Sequence, residues 1–315
     1  MTRKIRNQIN GVLLLDKPLG VSSNQAINRV KYILNASKVG HTGTLDPMAT
    51  GLLPVCLGEA TKFASYLLDG DKEYIATMQL GIVTDSGDAE GNVIATNSVN
   101  ASLDMIQHAI TKFKGQITQV PPMYSALKHN GKPLYEYARA GIEIERKSRQ
   151  IVVYELELLN YDSALEQVTF RALVSKGTYI RTLAEDLGNY LNCGASLISL
   201  RRTKTNNFNL NAAVTIEDVA AEPSLIKILD IEVLLEDMPV LNISSKYTDL
   251  IRNGNVCKLD LAPVTGEGEH KLYYYGKFIG VGLIVKEGND KVFLRPKRML
   301  NNLNQILISD DKKNA

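Results

Sequence analysis

Residues 40–51 read Gly-His-Thr-Gly-Thr-Leu-Asp-Pro-Met-Ala-Thr-Gly, and neither a helix nor a central strand suits them. Three glycines raise the entropy cost of regular structure, and Pro47 removes a backbone donor. The segment is therefore expected to be a shaped loop around which the apolar stretches on either side must pack. Pro47 pushes Asp46 away from the helical region toward an extended backbone, so its carboxylate should stand off the chain at a defined angle. Gly40, Gly43 and Gly51 are free to take positive φ or to let another backbone come close. An isolated Asp-Pro often does no more than start a turn, but that reading leaves His41, the threonines and the flanking glycines unaccounted for.

Around the loop the periodicities alternate between strand and helix. Gly11 to Leu15 reads as a short buried strand that ends at Asp16-Lys17-Pro18. Ser22 or Ser23 caps a helix with Ala26, Ile27, Val30, Ile33 and Leu34 at helical spacing. An apolar run follows at 52–57, a helix is expected over 61–68, and 72–80 alternates as a strand. Thr84 to Gly91 is rich in acids but lacks the spacing and closing Glu of a calcium loop, so a turn or a substrate-side loop is expected. Ser102 opens a helix to Phe113, with Leu103, Ile106, Ala109, Ile110 and Phe113 on one face. Residues 151–159 and 168–175 form a strand hairpin, followed by a glycine turn and a helix capped near Thr178 that carries Arg181 in its first turn. A strand is expected at 197–202.

A chain of 315 residues is long for one core, and its texture changes near Asp237-Met238-Pro239. Beyond that point 271–278, 280–285 and 291–298 read as strands of a small barrel, and Leu300 onward as a frayed tail. No apolar run approaches the ~20 residues of a membrane span, and Val12 to Leu15 is too short for a signal sequence, so a cytoplasmic chain without a membrane anchor is expected. Cys56, Cys193 and Cys257 form no Cys-x-x-Cys pair, which argues for buried inert thiols rather than disulfides or zinc. The net charge of +2 hides a segregation: +6 over residues 1–40, +4 over 101–150 and +4 over 251–315, against −12 elsewhere. Such interleaving suits a polyanion tracked by several elements, and equally suits solvated faces. Residues 120–141 add prolines, Tyr124, Tyr135, Tyr137, Lys128, Lys132 and Arg139, a mixture suited to looped RNA; a helix packing Tyr135 and Ala138 inward is compatible with it.

Six ordered motifs carry a resemblance: Asp16-Lys-Pro18, Gly40 to Gly51, Lys72-Glu-Tyr74, Thr84 to Gly91, Pro121-Pro-Met-Tyr-Ser-Ala-Leu-Lys128 and Lys176-Gly-Thr-Tyr-Ile-Arg181. Together, over about residues 11–202, they resemble the bacterial TruB family of tRNA pseudouridine synthases, and the C-terminal segment more faintly resembles a PUA module. The resemblance implies an α/β (α+β) fold with a central mixed, largely antiparallel sheet flanked by helices, plus a small β-barrel-like PUA domain. It divides the chain into a catalytic part at 1–237, with an RNA-clasping segment at about 121–150, and an RNA-binding part at 238–315. It implies conversion of uridine to pseudouridine at position 55 in the TΨC loop of tRNA, by a monomer that needs neither cofactor, metal nor protein partner. Such chemistry breaks a glycosidic bond and rejoins the sugar to C5 of the same base, which calls for a nucleophile that parks one fragment.

Asp46 takes that role by match, with Arg181 expected to keep its carboxylate ionised by lowering its pKa. Tyr74 is the expected platform under the flipped uracil, Tyr179 and Leu200 line the base pocket, His41 works on the RNA side and Lys17 supports the pocket. A histidine serving only its own turn is the plainer reading of His41. A guide-RNA-dependent synthase subunit and an RNA-binding or RNA-folding protein without essential chemistry are the competing functions.

Overall fold

The computed structural model describes residues 6–260, 266–288 and 291–301. Strand β1 (Gly11–Lys17) is apolar without alternation because both its faces are covered. Leu13 and Leu15 point into the main core, while Val12 and Leu14 enter a second cluster on the other side. Ser22 caps α1 (Ser23–Ile33) in a reciprocal box with Gln25, and Ala26, Ile27 and Val30 are buried on one face.

The loop expected at 40–51 is shorter than its sequence suggests, because its ends are paired. Residues 39–41 form β2 (Val39–His41) and residues 49–51 begin β3 (Ala49–Leu57). Gly51 (φ +99°) needs to be glycine, since a Cβ there would lie 2.3 Å from the Arg202 carbonyl oxygen. Gly40 does not take positive φ, and within the chain a Cβ there would meet only the Thr61 side chain, at 3.6 Å.

The helix expected at 61–68 breaks into a 3-10 turn, Gly58–Lys62, and one turn of α-helix, α2 (Ser65–Leu68). Gly58 enters at φ +55°, neither piece has a side-chain cap, and the backbone closes in i→i+3 bonds such as Phe63 N–H to Ala60 (2.9 Å). Beyond lie β4 (Lys72–Leu80), with Tyr74, Ala76, Met78 and Leu80 buried as the alternation predicts, and the small hairpin β5 (Ile82–Thr84) with β6 (Val93–Thr96). Helix α3 (Leu103–Lys112) is capped by Ser102 as expected, although Leu103 is exposed.

Next come β7 (Gly115–Gln119), the two-residue strands β8 (Lys128–His129) and β9 (Lys132–Pro133), and α4 (Leu134–Arg139), whose only buried residue is Leu134. The core packing considered for Tyr135 and Ala138 is therefore partial. Strands β10 (Arg149–Asp162) and β11 (Gln167–Val174) form the hairpin, α5 (Ile180–Tyr190) follows, and β12 (Ala195–Thr205), β13 (Phe208–Asn209) and α6 (Ile216–Ala221) complete this part. The main sheet runs β1-β3-β12-β4-β11-β10-β7, with β2 on β3 and β13 on β12. It is the mixed, largely antiparallel sheet expected: β12 and β3 are its parallel pair and the other pairings are antiparallel.

The C-terminal part contributes β14 (Val240–Asn242), α7 (Thr248–Arg252), β15 (Cys257–Leu259), β16 (Gly268–Tyr274), β17 (Lys277–Glu287) and β18 (Lys291–Met299), a five-stranded sheet in the order β14-β16-β17-β18-β15. The strand expected over 271–278 is cut by a hairpin turn in which both Tyr275 (φ +44°) and Gly276 (φ +73°) take positive φ. Phe278, Val281 and Leu300 pack with Val12, Leu14, Leu52 and Phe63 in one cluster, so this sheet covers the back of β1 and β3. Leu300 is accordingly anchored, not frayed, and Lys62 donates to the carbonyl of Met299 and to Asn301; residues 302–315 of the expected tail lie outside the described residues. The three cysteines are free and buried. Among the described residues no helix is long and apolar enough to cross a membrane.

Candidate active site

Asp46 sits at the centre of the loop between β2 and β3, and side chains from three directions fix that loop. From α1, the Ser23 hydroxyl donates to the Leu45 carbonyl (2.9 Å) and accepts from the Leu45 amide (2.8 Å). From β12, the buried Arg202 guanidinium donates to the carbonyls of Leu52 (2.7 Å) and Gly43 (3.2 Å). From the end of β1, the fully buried Lys17 ammonium donates to the carbonyls of Pro18, Val21 and Pro47. Cations spent on loop carbonyls leave the backbone of this loop little freedom.

Arg181 comes from the first turn of α5 and is buried, which removes the surface reading of that residue. Its guanidinium lies 2.9 Å from Asp46 Oδ2 and 3.3 Å from Asp88 Oδ2, and also donates to the carbonyls of Ser86 (3.0 Å) and Tyr124 (2.6 Å). One planar fork thus serves two carboxylates and two loops. Asp88 is itself fixed, accepting from Ser86 Oγ (2.7 Å) and from the Glu90 amide (3.1 Å).

The charge balance reverses the expectation for Asp46. Burial pushes its carboxyl above the ordinary Asp value and Asp88 adds to the push, while Arg181 and then Lys17 pull it down without prevailing. The side chain keeps 38% of its surface open, so water moderates the upward push, yet the direction is opposite to that of a simple Asp–Arg pair. Lys17 is lowered to about 8, first by burial, with Asp46 and Glu90 opposing. Glu90 is raised by burial and by Asp88 and Asp46. His41 is lowered by burial and by Arg202, so its imidazole is neutral at pH 7; its Nδ1 accepts from the Gly43 amide (3.3 Å).

The other residues singled out by sequence fall around this centre at varying remove. Leu200 in β12 is buried and in register with Ala49, three residues after Asp46, and with Ala76 of β4. Tyr74, buried in β4, pairs in register with Arg202 on one side and Ala172 on the other. Tyr179, and not Thr178, is the capping residue of α5; the Thr178 hydroxyl instead donates to the Ser175 carbonyl (2.9 Å). His41 ends β2 and accepts from the Gly43 amide, while the charge of Arg202 disfavours its protonated form. In the segment 121–150, Lys132 and Arg139 already lie over the rings of Tyr137 (4.9 Å) and Tyr135 (5.4 Å). Sequence reasoning missed Asp88, Ser23 and Arg202. For Asp88 a signal existed, since Ser86-Gly-Asp88 places a hydroxyl two residues from an acid, a spacing that folds the side chains back on the turn. Among the described residues no cluster of His, Cys, Asp or Glu is arranged to hold a metal ion.

Residues 31–180 match the family model described as TruB family pseudouridylate synthase, N-terminal domain, and residues 181–236 match the tRNA pseudouridylate synthase B C-terminal domain. A protein of Azoarcus sp. (strain BH72) named tRNA pseudouridine synthase B is 46% identical over 304 residues, covering 95% of this chain and 98% of that one. One of the same name from Chromobacterium violaceum is 55% identical over 217 residues, covering 69% and 70%. Among solved structures, a Cbf5-Nop10-Gar1 complex superposes with a TM-score of 0.68 at 27% identity, over 92% of this chain and 84% of that chain. An H/ACA RNP bound to a substrate RNA containing 2′-deoxyuridine gives 0.66 at 25% identity, over 93% and 86%.

Proposed function

This chain belongs to the TruB family of pseudouridylate synthases, and from that membership we propose that it isomerises uridine to pseudouridine at position 55 in the TΨC loop of tRNA. The observation that carries the reading is the pairing of Asp46, on a loop fixed from three directions, with a buried Arg181 that also binds Asp88. The reaction cleaves the N1–C1′ bond, turns the uracil, joins C5 to C1′, and releases the proton of C5 while N1 takes one up, with no net redox change. It needs an anionic oxygen held against the nucleoside, whether that oxygen adds to C1′, adds to the uracil ring or removes a sugar proton. Asp46 supplies it. A uridine inside a folded RNA loop reaches Asp46 only by flipping out, at a cost of roughly a few kcal/mol, against which stacking returns roughly 1–3 kcal/mol per base. Tyr74 is the platform in this reading, Tyr179 and Leu200 line the base, Lys17 holds the loop beneath Asp46, and neutral His41 contacts the RNA.

Residues 1–237 act as the catalytic part and 238–315 as an RNA-binding part. The identity of 46% over nearly the whole chain to a named tRNA synthase, against 25–27% to proteins of H/ACA assemblies, supports action on tRNA rather than as a guide-RNA-dependent subunit; in this proposal the chain works as a cytoplasmic monomer without a protein partner. The test is a mass-spectrometric map of pseudouridine in tRNA and in an isolated TΨC stem-loop, each incubated with the pure chain. A single new pseudouridine at position 55 in both is expected. Modification of neither, or loss of no activity in Asp46→Asn, sinks the proposal.

A further inference from the structure

The segment 120–148 leaves the main sheet at Gln119 and returns at Arg149, and these two residues face each other in the register of β7 and β10. Both reach across to Tyr179. The Gln119 side chain is buried; its amide donates to the Tyr179 carbonyl (3.0 Å) and its oxygen accepts from the Tyr179 amide (2.8 Å). That double contact replaces a strand partner for the backbone at the head of α5, which has no side-chain cap of its own. The Arg149 guanidinium lies over the Tyr179 ring, 4.9 Å from its centre, and donates to the Gly177 carbonyl. Gly177 takes φ +80°, and a Cβ there would come within 3.3 Å of the Arg149 guanidinium carbon, so the glycine of Lys176-Gly-Thr-Tyr is shaped to this arginine. Just outside the pair the two legs of the segment stay together: Arg146 donates to the Pro121 carbonyl (3.3 Å), and the Tyr124 carbonyl receives Arg181.

We propose that Gln119 and Arg149 are positioning residues which hold Tyr179, and through it the start of α5 with Arg181, so that engagement of RNA by the segment 120–148 and placement of the base-pocket tyrosine are one mechanical event. The proposal rests on the functional reading above. It differs from a merely structural role for the pair, which stabilises the fold and leaves the chemical step of the folded enzyme alone.

Single-turnover tritium release from tRNA carrying 5-tritiated uridine, with the full chain in saturating excess, separates these. Binding of the same tRNA by filter retention and the Tm of each variant are measured alongside. Gln119→Ala is expected to slow release about tenfold or more, the size of one buried amide left unsatisfied, while Kd moves by less than about threefold. Gln119→Glu keeps the acceptor and loses the donor toward Tyr179, so its rate relative to the parent should recover as pH falls and the carboxyl takes up a proton. Arg149→Lys, which keeps charge but not the planar stack, should fall between the parent and Arg149→Met. Lys132→Ala in the clasp should slow release in the parent and add little to the slowing already present in Gln119→Ala. An active parent beside variants with unchanged saturating rates, or with rates reduced only by their unfolded fraction, overturns the coupling alone. A parent that binds tRNA and forms no pseudouridine overturns the functional reading and the coupling with it.

Discussion

Replacing Arg181 by methionine keeps roughly the volume of the side chain and removes the one cation shared by Asp46 and Asp88. Two separate effects follow. The first is on stability: Arg181 is 4% exposed, and withdrawing one member of a buried ionic set leaves the others uncompensated, at a cost of about 3–5 kcal/mol. The second is on the chemistry. The Asp46 carboxyl already titrates above the ordinary Asp value because burial outweighs Arg181. Without Arg181 that value rises further, by about 1–3 units for a close cation, and Asp46's open side chain places the shift toward the lower end, about one unit. The ionised fraction therefore falls at every pH below the new value and is restored above it. Single-turnover tritium release from tRNA between pH 5.5 and 9 reads this directly. On the acid side R181M should be about tenfold slower than the parent beyond any other loss, with its acid limb about one unit higher and the gap narrowing as pH rises. Arg181→Lys should lie between, since an ammonium keeps the charge but cannot span both carboxylates. An acid limb that stays in place, with a loss equal at pH 6 and pH 9, refutes the electrostatic account and leaves Arg181 acting by contact alone.

Three further outcomes are expected. Glu185, one turn beyond Arg181 in α5, is raised to about 7 by burial first and then by Asp186; its native state holds the proton more tightly than the unfolded chain, so stability is lost as pH climbs from about 4.5 through about 7. Glu185→Gln should accordingly raise Tm at pH 8 and leave it near the parent's at pH 4.5, and an equal shift at both would contradict this. Lys17, lowered to about 8, loses its charge and one donor as pH rises past that value, so the parent rate should show an alkaline limb there that Lys17→Met lacks. Phe278→Ala removes a ring set against Phe63 at 5.5 Å and should cost about 3–5 kcal/mol in guanidinium melts, with both sheets unfolding in one transition; two transitions with only one displaced would deny the shared cluster.

That last cluster also changes what a truncation can test. If residues 240–315 served only to bind RNA, removing them would weaken binding and spare the rate, but Phe278, Val281 and Leu300 cover Val12, Leu14 and Leu52. Cutting them away bares the back of the catalytic sheet, so loss of rate in such a fragment reports exposed core before it reports lost RNA contact. Charge changes on the outer face, such as Lys297→Glu, where the side chain is exposed, probe RNA binding without that confusion.

What was readable in the sequence shares one property: each signal is local. The cap placed at Ser22 or Ser23, which falls on Ser22, and the alternation of Tyr74 to Leu80 act within a few residues and appear where they were expected, and Asp46-Pro47 opens a turn closed by the Ala49 amide on the Asp46 carbonyl (3.1 Å). What was missed depends on depth and on distant partners. Asp88 becomes part of the site because Arg181, far along the chain, turns inward to meet it, and Arg202 matters because its buried fork finds Gly43 and Leu52. The helix over 61–68 and the strand over 271–278 failed for a related reason: Gly58 and Tyr275 adopt positive φ, Tyr275 in the tight turn between β16 and β17, and residue type does not announce it, least of all for a tyrosine. The pKa of Asp46 is the sharpest case. Proximity of Arg181 was inferred correctly, yet the sign of the shift is set by how many ångströms of protein lie between the carboxyl and water, and by a second carboxylate pulling on the same guanidinium. A motif can point to the group proposed to react; only the packed chain decides how readily that group gives up its proton.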